Sequence, residues 1–258
     1  LTLLMVLDAR YFPTSSGFAR QPSLRLEVGR RRTFPHGHVE KTFEFDRPQG
    51  ELTSLVIYGE YGTVKLKSTD SDELKVRASI IAEKEEDLLG WEVVEKISER
   101  EVSYRLGGKT AKNKRNVGIN FEVEVPAGME VVAFQNFGKV DVEDFVGYLQ
   151  LETRFSAVNV NGLEGSLSID NQFGGINLKE IAGPLTVDDS FGTSQIGLVS
   201  IDGGYDFQVE VSNGSLKGSA PLQTEHRANI VTARGKSGEG LHPVVIRSGF
   251  GIVQVDLA

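Results

Sequence analysis

Glu152, Asp170 and Asp188 lie 18 residues apart, and each directly follows an apolar-x-apolar triplet. If residues 18 apart become neighbours in space, these three carboxylates form a column. Oxygen ligands so placed suit a hard cation such as Ca²⁺. Taken as a pair, they resemble the two acids that flank the scissile bond in glycoside hydrolases. Left bare, neighbouring carboxylates repel by about 1 kcal/mol in water and about 4 kcal/mol at an effective dielectric of 20. Splayed, solvated side chains or the nearby Arg154 relieve that repulsion with no ligand at all. Other candidates for chemistry are sparse. His36 and His38 share the stretch "PHGH", His226 and His242 are isolated, and none has metal-site spacing to a second ligand. Ser166, Ser168 and Ser190 lack the strained elbow and the His partner of a nucleophile. Cysteine is absent, which removes thiolates and disulfides without fixing a compartment. The residues thus assign no catalytic position and no cofactor site, with Ca²⁺ on the carboxylate column as the one metal considered.

The elements that would place such a column come from an internal period. "QNFGKVDV", "TRFSAVNV", "NQFGGINL" and "DSFGTSQI" put Phe137, Phe155, Phe173 and Phe191 at intervals of 18 residues. Around each aromatic the chain reads apolar-x-apolar-x-x-x-aromatic-Gly-x-apolar-x-apolar. "LVIYGEYGTVKL" near the start and "VVIRSGFGIVQV" at the end are two outlying copies. Alternating apolar residues are strand periodicity. Two short strands per unit cannot bury their apolar sides alone, but parallel, in-register stacking of units about 4.8 Å apart buries them together. The expected fold is mainly β: a single-domain parallel β-solenoid (β-helix) of 18-residue coils, regular over 131–199, with Gly at corners where a Cβ would be opposed. Between the first copy and the main array, "EKEEDLLGWEVVEKISE" carries Leu88, Trp91, Val94 and Ile97 as an amphipathic stripe, predicting a short helix over 83–99 with Trp91 as a packing anchor. Residues 205–242 keep the period loosely and read as irregular strands with a Gly-rich loop.

The 258 residues carry a net charge of −8, unevenly spread. Residues 1–41 hold seven basic and three acidic side chains, leaving −12 on the rest. An acidic body excludes a nucleic-acid surface there, since phosphate contacts need clustered Lys and Arg. Residues 1–40 are expected to be a basic, flexible tail or a truncated or mis-called start, and the domain proper spans 41–258. "LTLLMVL" is too short for a membrane span or a signal-peptide core, so membrane association would run through a missing or truncated N-terminal segment.

From "VPAGMEVVAFQNFGKVDVEDFVGYLQL" through "IDNQFGGINL" the chain resembles a bacterial domain-of-unknown-function family with a provisional adhesin label, built of "GxVxV…GxL" coils after a "VPxG" turn. The likeness extends from about Lys41 to "IRSGFGIVQV". It implies a parallel β-solenoid, a cell-envelope or extracellular location with the cytoplasm as alternative, and no enzyme activity or catalytic residues to carry over. Phe or Tyr replaces the family's small residue before the coil Gly.

Stacking lets each column be judged. Phe137, Phe155, Phe173 and Phe191 form an aromatic ladder, expected inward on the parity of Leu149, Leu151 and Phe155; if outward, it would be a stacking rail for sugar rings. Asp141, Asn159, Asn177 and Gln195 are expected outward, as an amide ladder. The function expected is non-catalytic adhesion or scaffolding at the cell envelope, with a protein or glycan as partner along a flat face. The alternatives are a polysaccharide-active enzyme and an intracellular module that forms homo-oligomers by pairing through its end coils.

Overall fold

The computed structural model describes residues 39–108 and 117–258, together with the backbone of 23–25. His36 and His38 lie outside the described residues, as does most of the proposed basic tail. In chain order the strands are β1 Ser23–Arg25, β2 Val39–Pro48, β3 Ser54–Thr69, β4 Glu73–Ala82, β5 Trp91–Ser98, β6 Glu101–Gly108 and β7 Val117–Pro126. There follow β8 Glu130–Gln172, β9 Gly174–Ala182, β10 Leu185–Leu198, β11 Tyr205–Ser212, β12 Gly214–Lys217, β13 Gln223–Arg227, β14 Ile230–Lys236 and β15 His242–Leu257. Among the described residues the one helix, α1, spans Glu85–Leu88. All strands join in one 15-stranded sheet that is not a closed barrel.

Its central part is parallel and in register. β10 pairs with β8 and β9 at an offset of 18, as in Leu185↔Leu167 and Gly192↔Gly174. β3 pairs with the start of β8 so that Gly62 meets Gly138. Within the long β8, residues 18 apart also touch: the Phe137 and Phe155 ring centroids are 5.0 Å apart, and Asn159 Nδ2 donates to Asp141 Oδ1 at 3.0 Å. The apolar alternation explains this arrangement. Leu149, Leu151, Val158 and Val160 point inward and are almost fully buried, as are their equivalents Leu167, Ile169, Ile176 and Leu178 on the next rung.

Sequence order and spatial order part company at the far end. β15 pairs with β10 on one side and with β11 and β12 on the other, so the last strand in the chain lies between two earlier ones. The segment "FQVEVSNGSL" supplies this further rung: Phe207, Val209 and Leu216 take the apolar places and Asn213–Gly214 the corner, with Gly214 facing Gly251. Asn213 adopts φ +50, a conformation that Asn tolerates better than most residues. The loosened period of 205–217 therefore hides a regular rung in which Asn stands where the others have Phe. Antiparallel strands flank both ends, β2–β4–β7 beyond β3 and β14–β13 beyond β11.

The helix expected over 83–99 is not formed. Only Glu85–Leu88 is helical, and residues 91–98 are β5, antiparallel to β6. Trp91 and Val93 are buried while Ile97 is exposed, which fits a strand whose first half packs on the core. "WEVVEKI" alternates as well as it spirals, and the β-branched pair together with Gly90 favours the strand.

Candidate functional site

The aromatic ladder turns outward, and this corrects the expected parity. Phe137, Phe155, Phe173 and Phe191 are 42–52% exposed. The place two residues earlier points inward instead, and the chain turns a corner at the aromatic: Phe137, Phe155 and Phe173 have φ of +59, +51 and +63, while Phe191 turns outward without a left-handed φ. A left-handed residue rotates the following strand, so counting parity through the corner fails. Tyr61 and Phe250 extend the row to six rings, each stacked on the next at 4.8–5.0 Å with interplanar angles of 1–4°. Five such intervals make a ridge about 25 Å long.

Beneath the ridge runs a buried polar column, and this is what the reading of the sequence missed. Its members are the first letters of the four repeats already quoted: Gln135, Thr153, Asn171 and Asp189, none more than 3% exposed. Thr153 Oγ1 donates to Asn171 Oδ1 at 2.7 Å, Asn171 Nδ2 donates to Asp189 Oδ1 at 3.0 Å, and Ser194 Oγ donates to Asp189 Oδ2 at 2.8 Å. Gln135 Nε2 donates to the Gly62 carbonyl at 2.9 Å. Gly59 faces Gln135 in register, and a Cβ on Gly59 would lie 1.8 Å from Gln135 Oε1, so its bare backbone makes room for that side chain. The signal was present: four hydrogen-bonding residues at the inward parity, 18 residues apart.

Burial lifts the Asp189 carboxyl above the ordinary carboxylate range, while hydrogen bonds from Ser194, Asn171 and the Phe191 amide act against the shift. The folded state thus holds this proton more tightly than the unfolded chain. Stability from this group is greatest at low pH and is lost as pH rises from the unfolded value through the raised folded one. Asp189→Asn keeps the shape and removes the buried charge. Its stability relative to the parent is expected to rise as pH climbs from about 4 through the raised folded value, and to level off above it. Urea unfolding of both proteins from pH 3.5 to 7.5 measures this, and a constant difference across that range would contradict it.

The other expected columns are placed as follows. Asp141, Asn159 and Asn177 are half-buried and Gln195 is exposed, facing out along one side of the ridge. Asp141 also pairs with Lys139 Nζ at 2.7 Å. Glu152, Asp170 and Asp188 lie on successive rungs, at the surface, on the other side. Asp188 is engaged by Arg247 Nη1 at 3.2 Å and Glu152 accepts from Gln150 Nε2 at 3.0 Å. Among the described residues, no three His, Cys, Asp or Glu side chains converge to hold a metal ion. A dent of about 220 Å³ lies over Glu152 and Asp170, bordered by Phe134, Arg154 and Gln172. Here two carboxylates do share a hollow, though in register on a flat face rather than across a cleft. A larger groove of about 650 Å³ runs where β2, β4 and β7 meet β3 and β8. Its walls are self-neutralising, with Lys65–Glu122 at 3.0 Å and Lys67–Glu124 at 2.9 Å.

The chain matches no protein-family model and no curated protein. Solved structures similar to it include a provisionally named cell adhesion protein from Clostridium sporogenes, at 10% identity and TM-score 0.47 over 85% of this chain and 100% of that one. A provisionally named adhesin from Bacteroides fragilis has 9% identity and TM-score 0.39 over 84% and 97% of the two chains. A provisionally named lipid binding protein from Parabacteroides distasonis has 11% identity and TM-score 0.35 over 85% and 96%.

Proposed function

We propose that the chain is a parallel β-solenoid with a non-catalytic binding role at a bacterial surface, using one flat side of stacked columns as its contact face. The solenoid reading is supported by the in-register parallel pairing that sets Gly62 against Gly138, and Gly174, Gly192, Gly251 and Gly214 against one another in turn. The binding reading rests on the aromatic ridge. Six rings line up at the surface, whereas an interior ladder would bury them, and a contiguous exposed apolar row marks an interaction site. Left-handed Phe is also a strained choice, since Asp144, Gly162 and Glu180 meet the same φ requirement at another turn of the rungs without an aromatic. Against catalysis stands the setting of Glu152 and Asp170, which lie in register on a flat face and not across a cleft. The purified protein is expected to bind a subset of an immobilised glycan array and to release no reducing sugar from the bound glycans over a day. Sugar release would replace this reading with the hydrolytic one, and failure to bind glycans or surface-protein preparations would end it.

A further inference from the structure

The ridge borders a gutter whose chemistry repeats on three successive rungs, those carrying residues 155–159, 173–177 and 191–195. Phe155, Phe173 and Phe191 line one wall and Asn159, Asn177 and Gln195 the other, with Gly175 in the middle of the floor. The Asn177 and Gln195 amides make no hydrogen bond with other described residues, so their donors and acceptors face outward for use.

Three observations narrow the occupant. The first is charge. No charged side chain stands in the wall or floor columns of these rungs, although the chain carries −8, and at the gutter's end Lys139 and Asp141 neutralise each other at 2.7 Å. A charged occupant would find no counter-charge there, so the complementary ligand is neutral and rich in hydrogen-bonding groups. The second is period. Contacts recur every 4.8–5.0 Å along the ridge. An extended peptide advances about 3.3 Å per residue and falls out of step. A chain of pyranose sugars advances by close to one rung per ring, so each sugar can repeat the contacts of the last. The same stacking covers the ring faces and leaves the hydrogen-bearing edges outward, which carry the positive side of the ring quadrupole and suit ether and hydroxyl oxygens.

The third is Gly175 itself. Gly174 beside it is required by the fold, since a Cβ there would lie 1.9 Å from the Ser156 carbonyl. Gly175 is not: its φ lies outside the left-handed region, and an added Cβ would meet only the Thr193 carbonyl at 3.9 Å. A glycine inside a strand weakens it and often marks close approach by a ligand. Here the missing side chain keeps the gutter open at its midpoint.

We propose that this gutter binds a neutral, extended glycan chain, one sugar per rung, with ether and hydroxyl oxygens against the Phe edges and further hydroxyls on the amide wall. The inference rests on the surface-binding reading and names the site and ligand class within it. Calorimetric titration with β-1,4-linked glucose and mannose hexamers tests it, with free glucose and a uronic acid hexamer as controls. At least one neutral hexamer is expected to bind about tenfold or more tightly than the monosaccharide and the uronate. Gly175→Trp and Ala157→Trp, both at exposed positions, are each expected to weaken that binding about tenfold while the unfolding midpoint stays unchanged. No binding of either neutral hexamer at about 5 mM overturns the proposal, as does equal binding by the folded Trp variants. If those variants still bind the glycan array, the gutter is wrong and the surface role stands. If the parent protein binds nothing on that array or among surface proteins, both fall.

Discussion

Gly251→Ala is expected to destabilise the protein by about 3 kcal/mol or more, the largest effect of any Gly→Ala change among the described residues. A Cβ on Gly251 would lie 1.7 Å from the Gly192 carbonyl oxygen, and Gly251 has φ +139, where an L side chain is strained whatever the space. The obstructing atom is backbone, so no rotamer change relieves the clash. The rung must move, and Gly192↔Gly251 sits in a run of in-register pairs from Leu185↔Val244 to Leu198↔Leu257 that a shift would break. Gly175→Ala supplies the control, expected within about 0.5 kcal/mol of the parent. Urea denaturation of the two variants side by side decides the matter, and equal midpoints would mean that the rungs are not stacked as described.

Asn171→Ala is expected to cost about 3 kcal/mol, more than truncating a typical buried polar residue. Asn171 sits mid-column, fully buried, accepting from Thr153 and donating to Asp189. Truncation orphans the Thr153 hydroxyl and leaves the Asp189 carboxylate dependent on Ser194 and the Phe191 amide. Because the charge supplies much of that penalty, the cost is expected to fall by about half in the Asp189→Asn background, and a double-mutant cycle reads the coupling directly. Additive effects would show that the column is a set of separate hydrogen bonds and not a connected chain.

Much of this architecture is legible in the sequence because parallel in-register stacking is a demand on identity itself: whatever Phe155 does, Phe173 must do one rung on. The period therefore reveals the strands, the corners and the Gly column. It does not reveal direction at a corner. Thr153 and Phe155 share a parity, yet the corner between them sends the hydroxyl in and the ring out. The polar column escaped notice for the same reason, since residues as different as Gln135, Thr153, Asn171 and Asp189 look like ordinary turn polarity until they are known to be buried. "WEVVEKIS" misled because about two turns of helix and one strand place its apolar residues almost equally well. Pairing with "EVSYRLGG" decided in favour of the strand, and a partner is not a local property.

The position of β15 governs the order in which the molecule can be completed. When residues 205–217 have been synthesised, the site they will occupy does not yet exist, because its foundation is residues 242–257. Until those arrive, the open edge of β10 is a template with no legitimate occupant, and any stray strand that finds it competes with the proper one. A nascent chain of this design stays vulnerable well after most of it has left the ribosome. The stack of β10, β15 and β11 therefore closes only once residues 242–257 are present, and not rung by rung in chain order.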